Sequence, residues 1–190
     1  MPSNLLAFHL KALESAGLLT RRRSEGDGRR TYLHLTKDVL EDLSAQPPRA
    51  AQRVVFVCTA NSARSHLAAA LWCRSSHIPA ASAGTHPAER IDPGAIETAE
   101  RHDLTLPAVR PRHLGDVLAD GDIVVTVCDL AHEDLAPVAP TARLHWSIPD
   151  PTKVGTAAAY DAAYDEIAAR VVDLAQRYSH DDVRLAGAEV

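Results

Sequence analysis

The chain has 190 residues, of which 46% are apolar and 24% are charged, and these values are ordinary for a folded globular protein. No apolar run reaches the length of a membrane span, and the first residues lack the basic start and apolar core of a secretory leader, so we expect a cytoplasmic protein with no membrane partner. The three cysteines, Cys58, Cys73 and Cys128, are too few for a disulfide framework, and their odd number indicates at least one free thiol.

The charge is distributed unevenly along the chain. The formal net charge is −5, yet residues 1–50 carry eight Lys or Arg against six Asp or Glu, and residues 51–190 carry twelve against nineteen. The basic excess lies in RRRSEGDGRR, residues 21–30. Because the two parts differ in charge, we expect them to have different roles. The small, proline-containing stretch 44–52 between them predicts a linker.

The first part, residues 1–43, predicts a helix, a β-hairpin and a second short helix. Apolar residues recur at helical spacing from Leu6 to Leu13, and Gly17 stands where a helix-ending glycine is expected. LLTRRRS and RRTYLHL then flank EGDG, which is the pattern of two strands and a turn. Arginines on a hairpin suit contact with phosphate, so DNA is a candidate partner, and a basic solvated face is the alternative. These arginines are Arg21, Arg22, Arg23, Arg29 and Arg30.

In the second part, apolar strands alternate with amphipathic helices. The strands are predicted at 53–58, 80–84, 122–129 and 142–148. The helices are predicted at 64–76, 92–103, 113–121 and 157–178, before a frayed tail at 179–190. This alternation predicts an α/β domain with a parallel sheet covered by helices on both faces.

The clearest functional signal is VCTANSARS, at the end of the first of these strands. Cys58 stands where the strand ends, and the small residues after it let backbone N–H groups curl around an anion. The next helix adds its positive N-terminal end, and Arg64 can bind a tetrahedral oxyanion with two parallel hydrogen bonds. These surroundings favour the Cys58 thiolate, a candidate nucleophile; a buried cysteine beside a surface arginine is the alternative. We expect Ser65 to donate a hydrogen bond to that thiolate and Asn61 to hold the shape of the loop.

The same stretch resembles the phosphate-binding loop of low-molecular-weight protein tyrosine phosphatases, a family that includes one branch of arsenate reductases. ASAGTHP, IDPGAI, DIVVTVCD and HWSIPDP also match in order, so the likeness covers residues 53–178. It implies a flavodoxin-like, doubly wound sheet of four parallel strands. It also implies that Cys58 is the nucleophile and that Asp150 is the general acid that protonates the leaving oxygen. The oxyanion cradle that it implies consists of Thr59, Ala60, Asn61, Ser62, Ala63, Arg64 and Ser65.

The choice between a reductase and a phosphatase depends on a second thiol. Cys128 matches the position of the first resolving cysteine in the reductases, and a small buried side chain is the other interpretation of it. The segment PTKVGTAAA after Asp150 lacks the tyrosines that the phosphatases place beside the substrate ring. We therefore expect an arsenate reductase; the alternative is a phosphatase acting on phosphotyrosine or small phosphate esters.

Two departures from the reductase pattern leave the reductant open. Leu135 and Ala63 stand where thioredoxin-coupled reductases carry cysteines. Either a Cys58–Cys128 disulfide is reduced by an external partner such as thioredoxin or mycoredoxin, or a small thiol such as mycothiol attacks the arsenate adduct. Cys73 is expected in the core. The ten histidines form no dense ligand cluster in the sequence, so no metal is expected. The only cofactor expected is the external thiol reductant, with none bound.

Within residues 1–43, the segment 3–36 resembles the recognition helix and basic wing of ArsR-type winged-helix repressors. Those proteins read DNA with this helix and contact phosphates with the wing. The likeness implies a partial winged helix-turn-helix, because the sequence does not contain the earlier helices of that domain. A helix and a hairpin bury little surface alone, so we expect either a truncated fusion or a remnant packed on the enzyme. A DNA-binding regulator that senses oxyanions is a third hypothesis for the function.

Overall fold

The computed structural model describes residues 3–36, 53–135 and 143–186 of the chain. The chain divides into two compact units, Met1–Gln46 and Pro47–Val190. The helices of the described residues include none that is both long enough and apolar enough to cross a lipid bilayer.

In the smaller unit, the described residues form a helix and a hairpin. Helix α1 (Ser3–Ser15) ends before Gly17, whose φ of +71° is the left-handed conformation that glycine adopts readily after a helix. Strands β1 (Leu19–Arg23) and β2 (Thr31–Leu35) pair antiparallel. The predicted helix and hairpin are therefore confirmed. The predicted second helix and the linker 44–52 lie outside the described residues, and the likeness to a winged helix stays a prediction.

The larger unit is built on a sheet of four parallel strands in the order β4-β3-β5-β6. Its strands are β3 (Arg53–Cys58), β4 (Ala80–Gly84), β5 (Asp122–Thr126) and β6 (Arg143–His145). This confirms the expected parallel sheet of the flavodoxin-like type. Strand β3 has a neighbour on each side, and its residues 54–57 are fully buried, as expected for an apolar central strand. Ligands bind in such sheets at the carboxyl end of the strand where the chain order reverses, and here that is the end of β3.

Among residues 53–135 and 143–186, five α-helices accompany this sheet. They are α2 (Arg64–Ser75), α3 (Pro93–Arg101), α4 (Asp129–Leu135), α5 (Pro151–Val154) and α6 (Ala157–Ala186). Helix α6 packs against α2 and α3 and buries the apolar stripe that its spacing predicts. That stripe includes Tyr160, Tyr164, Ile167, Val171 and Leu174.

Several predicted elements have a different length in the structure. The strand predicted over 142–148 spans only Arg143–His145 among the described residues. The helix predicted over 113–121 is wrong: only one 3₁₀ turn forms, Leu114–Asp116, with Gly115 at its centre, and glycine disfavours a longer helix. The frayed tail predicted over 179–190 is wrong in its first part, since α6 continues to Ala186. No glycine or proline interrupts the sequence of that helix, so nothing in its backbone stops it earlier.

Two cysteines lie elsewhere than predicted. The strand predicted over 122–129 ends at Thr126, the last residue that pairs with β6, so Cys128 lies in the loop that enters α4. Cys73 was expected in the core but is exposed. Helix α2 is buried from Arg64 to Trp72, and its last turn leaves the core.

Candidate active site

The loop from Thr59 to Ala63 joins β3 to α2, and its neighbours hold it by its carbonyl groups. Four carbonyls accept hydrogen bonds of 2.8–3.2 Å from the backbone of residues 85–92, and they belong to Cys58, Thr59, Ala60 and Ser62. A trans peptide holds its C=O and the following N–H in opposite directions. In each case, the N–H group of the next residue in the chain therefore points to the other side of the loop, as in an anion-binding nest. These N–H groups belong to Thr59, Ala60, Asn61 and Ala63.

Strand β4 approaches this loop so closely that position 84 has no room for a side chain. A Cβ atom there would lie 2.6 Å from the carbonyl oxygen of Thr59 and 3.0 Å from the backbone nitrogen of Asn61. Gly84 is also the residue of β4 that pairs with Cys58. The backbone of β4 thus supports the loop directly beside the candidate nucleophile.

Asn61 links the loop to the start of α2. Its backbone is left-handed, with φ +46°, a conformation that asparagine tolerates better than most residues. Its buried side chain accepts a hydrogen bond from the backbone N–H of Arg112 and donates one to Ser65 Oγ, both at 2.8 Å. Ser65 Oγ lies 3.1 Å from Cys58 Sγ. A thiolate at Cys58 can only accept, so Ser65 is placed to be its donor, as the sequence analysis expects.

The N-terminus of α2 adds to the positive character of this site. Among the described residues, no side chain caps this helix, and its first turn contains no acidic residue. The N–H groups of this first turn and the positive end of the helix dipole are therefore not neutralised by a carboxylate of the helix itself. Such a helix start is suited to bind an anion.

Arg64 and Asp150 form an ion pair at the site. Arg64 is 8% exposed; its Nη1 donates to the carbonyl of Ile148 at 2.9 Å, and its Nη2 lies 2.8 Å from Asp150 Oδ2. The other carboxylate oxygen of Asp150 caps α5 by accepting from the N–H and hydroxyl of Thr152, at 3.1 and 2.8 Å. The structure therefore brings the expected general acid into contact with the expected oxyanion-binding arginine.

Cys128 is buried beside the same loop. Its Sγ lies 3.4 Å from Thr59 Oγ1 and 3.5 Å from the backbone nitrogen of Ala131. Burial raises the pKa of the Cys128 thiol, and the charge of Cys58 raises it further, while Arg64, Thr59 and Ala131 act in the opposite direction. Cys128 thus contacts Thr59, the residue that directly follows Cys58 in the loop.

Two residues that were not predicted from the sequence, Asp92 and Tyr160, brace the loop. Asp92 donates its backbone N–H to the Ser62 carbonyl, and its carboxylate accepts from the N–H of Gly94 at 2.9 Å and from the hydroxyl of Tyr160. Burial and then the Asp92 carboxylate raise the pKa of Tyr160. An aspartate before Pro-Gly is a helix-capping signal that could have indicated Asp92. No local signal links it to Tyr160, which lies 68 positions further along the chain.

Two histidine rings, His132 of α4 and His145 at the end of β6, stack on each other. The ring centroids of His132 and His145 are 4.1 Å apart, and His145 Nε2 lies 3.2 Å from Asp129 Oδ1. Across the described ranges, no group of three or more His, Cys, Asp or Glu side chains could hold a metal ion.

The arginines predicted to contact DNA lie on the hairpin of the smaller unit, and three of them form ion pairs there. Arg21 pairs with Glu14 at 2.8 Å. Arg29 and Arg30 approach Asp27 at 3.0 and 3.6 Å, and the Arg29 hydrogen bond lowers the pKa of that carboxyl. These acidic partners offset part of the positive charge that the sequence places on the hairpin.

The chain is similar in sequence and in fold to known arsenate reductases. Arsenate reductase 1 of Bacillus cereus is 31% identical over 129 residues, which cover 65% of this chain and 93% of that protein. The crystal structure of arsenate reductase from Archaeoglobus fulgidus has a TM-score of 0.58 at 30% identity, covering 65% of this chain and 98% of its own. The thioredoxin-dependent arsenate reductase of Corynebacterium glutamicum has a TM-score of 0.56 at 25% identity. The match covers 73% of this chain and 65% of that chain.

The family described as low molecular weight phosphotyrosine protein phosphatase matches residues 53–184. The match begins at the first residue of β3 and extends into α6, so it spans the sheet, the loop after β3 and the segment that carries Asp150. The chain therefore belongs to the low molecular weight phosphotyrosine protein phosphatase family.

Proposed function

We propose that this chain reduces arsenate to arsenite in the site around Cys58. The observation that carries the proposal is the second buried thiol, Cys128, which contacts Thr59, the residue directly after Cys58. A phosphatase of this fold needs one thiol, whereas reduction of arsenate takes two electrons, which two thiols supply when they form a disulfide. The likeness to arsenate reductases from Bacillus cereus and Archaeoglobus fulgidus supports the same choice.

In the first step, the Cys58 thiolate attacks arsenic, and an As–S bond forms while one As–O bond breaks. The loop N–H groups and Arg64 hold the remaining oxygens, where they stabilise negative charge in the transition state. Asp150 gives its proton to the leaving oxygen, which departs as water. Arg64, 2.8 Å away, then balances the charge of the Asp150 carboxylate.

In the second step, the Cys128 thiolate attacks the sulphur of Cys58. A disulfide forms, the As–S bond breaks, and its electron pair stays on arsenic, which is reduced from As(V) to As(III) and leaves as arsenite. The two steps occur in this order because the Cys58 sulphur becomes electrophilic only when it is bound to arsenic; a free Cys58 thiolate offers no bond for Cys128 to displace.

An external thiol closes the cycle, so the proposal needs no bound cofactor. The thioredoxin-dependent reductase of Corynebacterium glutamicum supports a thioredoxin-type reductant for the Cys58–Cys128 disulfide. Mycoredoxin is an alternative reductant, and mycothiol would replace Cys128 by attacking the adduct itself. Dithiol chemistry of this kind operates in a reducing compartment, and we propose the cytoplasm.

A single turnover tests the proposal. Fully reduced protein is mixed with arsenate without external thiol, arsenite is quantified, and cysteine links are mapped by mass spectrometry. We expect close to one arsenite per protein and a Cys58–Cys128 disulfide. Cys73→Ser is the matched control, because Cys73 is exposed on α2, and this variant is expected to give the wild-type yield. Cys128→Ser is expected to abolish the product.

The other outcomes of this experiment separate the alternatives. Arsenite that appears only after mycothiol is added would remove Cys128 from the mechanism but keep the reductase. No arsenite in either case, together with hydrolysis of p-nitrophenyl phosphate, would overturn the reductase in favour of a phosphatase.

For the smaller unit we propose phosphate contact with DNA, on the strength of three consecutive arginines, Arg21, Arg22 and Arg23, in the exposed hairpin. Each phosphate contact that is lost reduces the dependence of affinity on salt. Replacing all three by alanine is therefore expected to weaken binding to duplex DNA and to flatten its salt dependence. Equal binding by the wild-type chain and the triple variant would overturn this role.

A further inference from the structure

We infer that Tyr160 is a positioning residue that sets the geometry of the oxyanion loop through Asp92. The inference rests on the proposed oxyanion site around Cys58. It gives a role in that site to a side chain of α6, a helix that contributes none of the expected cradle residues.

The first link joins Asp92 to the loop. The backbone N–H of Asp92 donates to the carbonyl of Ser62 at 2.9 Å. This bond fixes the plane of the Ser62–Ala63 peptide, and a planar trans peptide then fixes the direction of the Ala63 N–H. A rotation of Asp92 would turn that N–H, which is the last one of the loop before Arg64.

The second link joins Tyr160 to Asp92. The carboxylate oxygen Oδ1 of Asp92 accepts from the N–H of Gly94 at 2.9 Å and from the Tyr160 hydroxyl. The first bond holds Asp92 as the cap of α3, and the second connects this cap to α6. Loss of the hydroxyl removes one of the two donors that orient this carboxylate, and with it a restraint on the backbone of Asp92.

The ring of Tyr160 has little room to move. It is 4% exposed and packs in a cluster with Ala63, Ile91 and Ala95, so it contacts the end of the loop and α3 together. A Cβ atom on Gly94 would lie 2.5 Å from the ring, which shows how close α3 comes. Because the ring is closely packed, a displacement of α6 would also displace the residues at the end of the loop.

The segment that carries Tyr160 also carries the expected general acid. Asp150 precedes α5, and Tyr160 lies in the first turns of α6 directly after it. Asp150 is tied to the loop by its ion pair with Arg64, and Tyr160 is tied to the loop through Asp92. The segment 150–160 is therefore anchored to the oxyanion loop at both ends.

The test compares Tyr160→Phe with Tyr164→Phe. Tyr164 is one turn further along α6, is also buried at 8% exposed, and its hydroxyl accepts from Arg74 at 2.9 Å. Each variant removes one hydrogen-bonded hydroxyl from the same helix, but only Tyr160 reaches the loop. The affinity for inorganic phosphate is measured by its protection of Cys58 against iodoacetamide, with alkylation of exposed Cys73 as the internal reference.

We expect the dissociation constant for phosphate to rise about three- to tenfold in Tyr160→Phe, the size of one net hydrogen bond, and to stay unchanged in Tyr164→Phe. An equal change in both variants, including no change in either, overturns the inference and leaves the proposed function standing. If phosphate does not protect wild-type Cys58, the proposed oxyanion site fails and the inference fails with it.

A double-mutant cycle tests the path through Asp92. In an Asp92→Ala background the hydroxyl of Tyr160 has no carboxylate to orient, so Tyr160→Phe is expected to change phosphate affinity less than about twofold. If Tyr160→Phe has its full effect in that background, the residue acts by another route and the inference is overturned.

Discussion

The hydroxyl of Ser65 is placed to stabilise the thiolate form of Cys58 by a hydrogen bond. Ser65 Oγ accepts from Asn61 and lies 3.1 Å from Cys58 Sγ, so its proton is available to the thiolate. A hydrogen bond to a charged group contributes about 1.5–3 kcal/mol, and about 1.4 kcal/mol is a tenfold effect. We therefore expect Ser65→Ala to slow alkylation of Cys58 by iodoacetamide at neutral pH about tenfold or more, measured by peptide mass spectrometry.

The control for this prediction is within the same helix. Cys73 is exposed near the end of α2, and its alkylation is expected to be the same in wild type and variant. A Ser65→Ala protein in which Cys58 reacts at the wild-type rate relative to Cys73 would contradict the role of the hydroxyl.

The residues of the site differ in how far the sequence alone could predict them. Cys58, Arg64 and Ser65 lie within eight consecutive positions at a strand–turn–helix junction, and their chemistry follows from that local spacing. The contact between Asp92 and Tyr160 could not be predicted in this way, because it depends on how α6 packs against α3.

At the scale of elements, β4 and the loop are fitted to each other at Gly84. A methyl group there would lie 2.6 Å from the Thr59 carbonyl, well inside contact distance, so the loop or the strand must shift. Overpacking of this kind costs about 1–3 kcal/mol. We expect Gly84→Ala to lower the free energy of unfolding in urea by that amount and to reduce the single-turnover rate by at least about tenfold, since the N–H groups of the loop are displaced.

A matched glycine separates this effect from the loss of glycine itself. A Cβ on Gly28, in the turn of the hairpin, would meet nothing within 4 Å. Gly28→Ala is expected to leave the single-turnover rate unchanged. A wild-type single-turnover rate in Gly84→Ala would contradict the claim that a side chain at position 84 displaces the N–H groups of the loop.

Long elements with a clear apolar pattern could be predicted from the sequence, and short ones could not. The continuous apolar run of β3 and the long stripe of α6 were predicted, because burial imposes a clear pattern on them. Helices α4 and α5 have seven and four residues, too few for a period to appear in the sequence. Cys128 was placed on the wrong element for a related reason: strand pairing ends at Thr126, and no residue in DIVVTVCD marks that point.

For the larger unit as a whole, one buried histidine couples stability to pH. His66 follows Ser65 in α2 and is fully buried, with Nδ1 3.5 Å from Ser82 Oγ. Burial lowers the pKa of His66 from 6.5 to about 4; the backbone of Asn61 opposes this shift and the charge of Arg112 adds to it. Protonation of this side chain is therefore more favourable in the unfolded chain than in the folded one.

The sign of the pH dependence follows from that difference. Above pH 6.5 His66 is neutral in both states, and between pH 6.5 and about 4 the unfolded chain binds a proton that the folded chain does not. Acidification through this window therefore lowers the free energy of unfolding, by up to about 1.4 kcal/mol per pH unit.

We expect His66→Gln to flatten this decline in urea unfolding curves measured between pH 7 and 4.5, because glutamine does not titrate. His77→Gln, at an exposed histidine just after α2, is the control and is expected to keep the wild-type slope. Equal slopes in His66→Gln and wild type would show that other groups take up the proton.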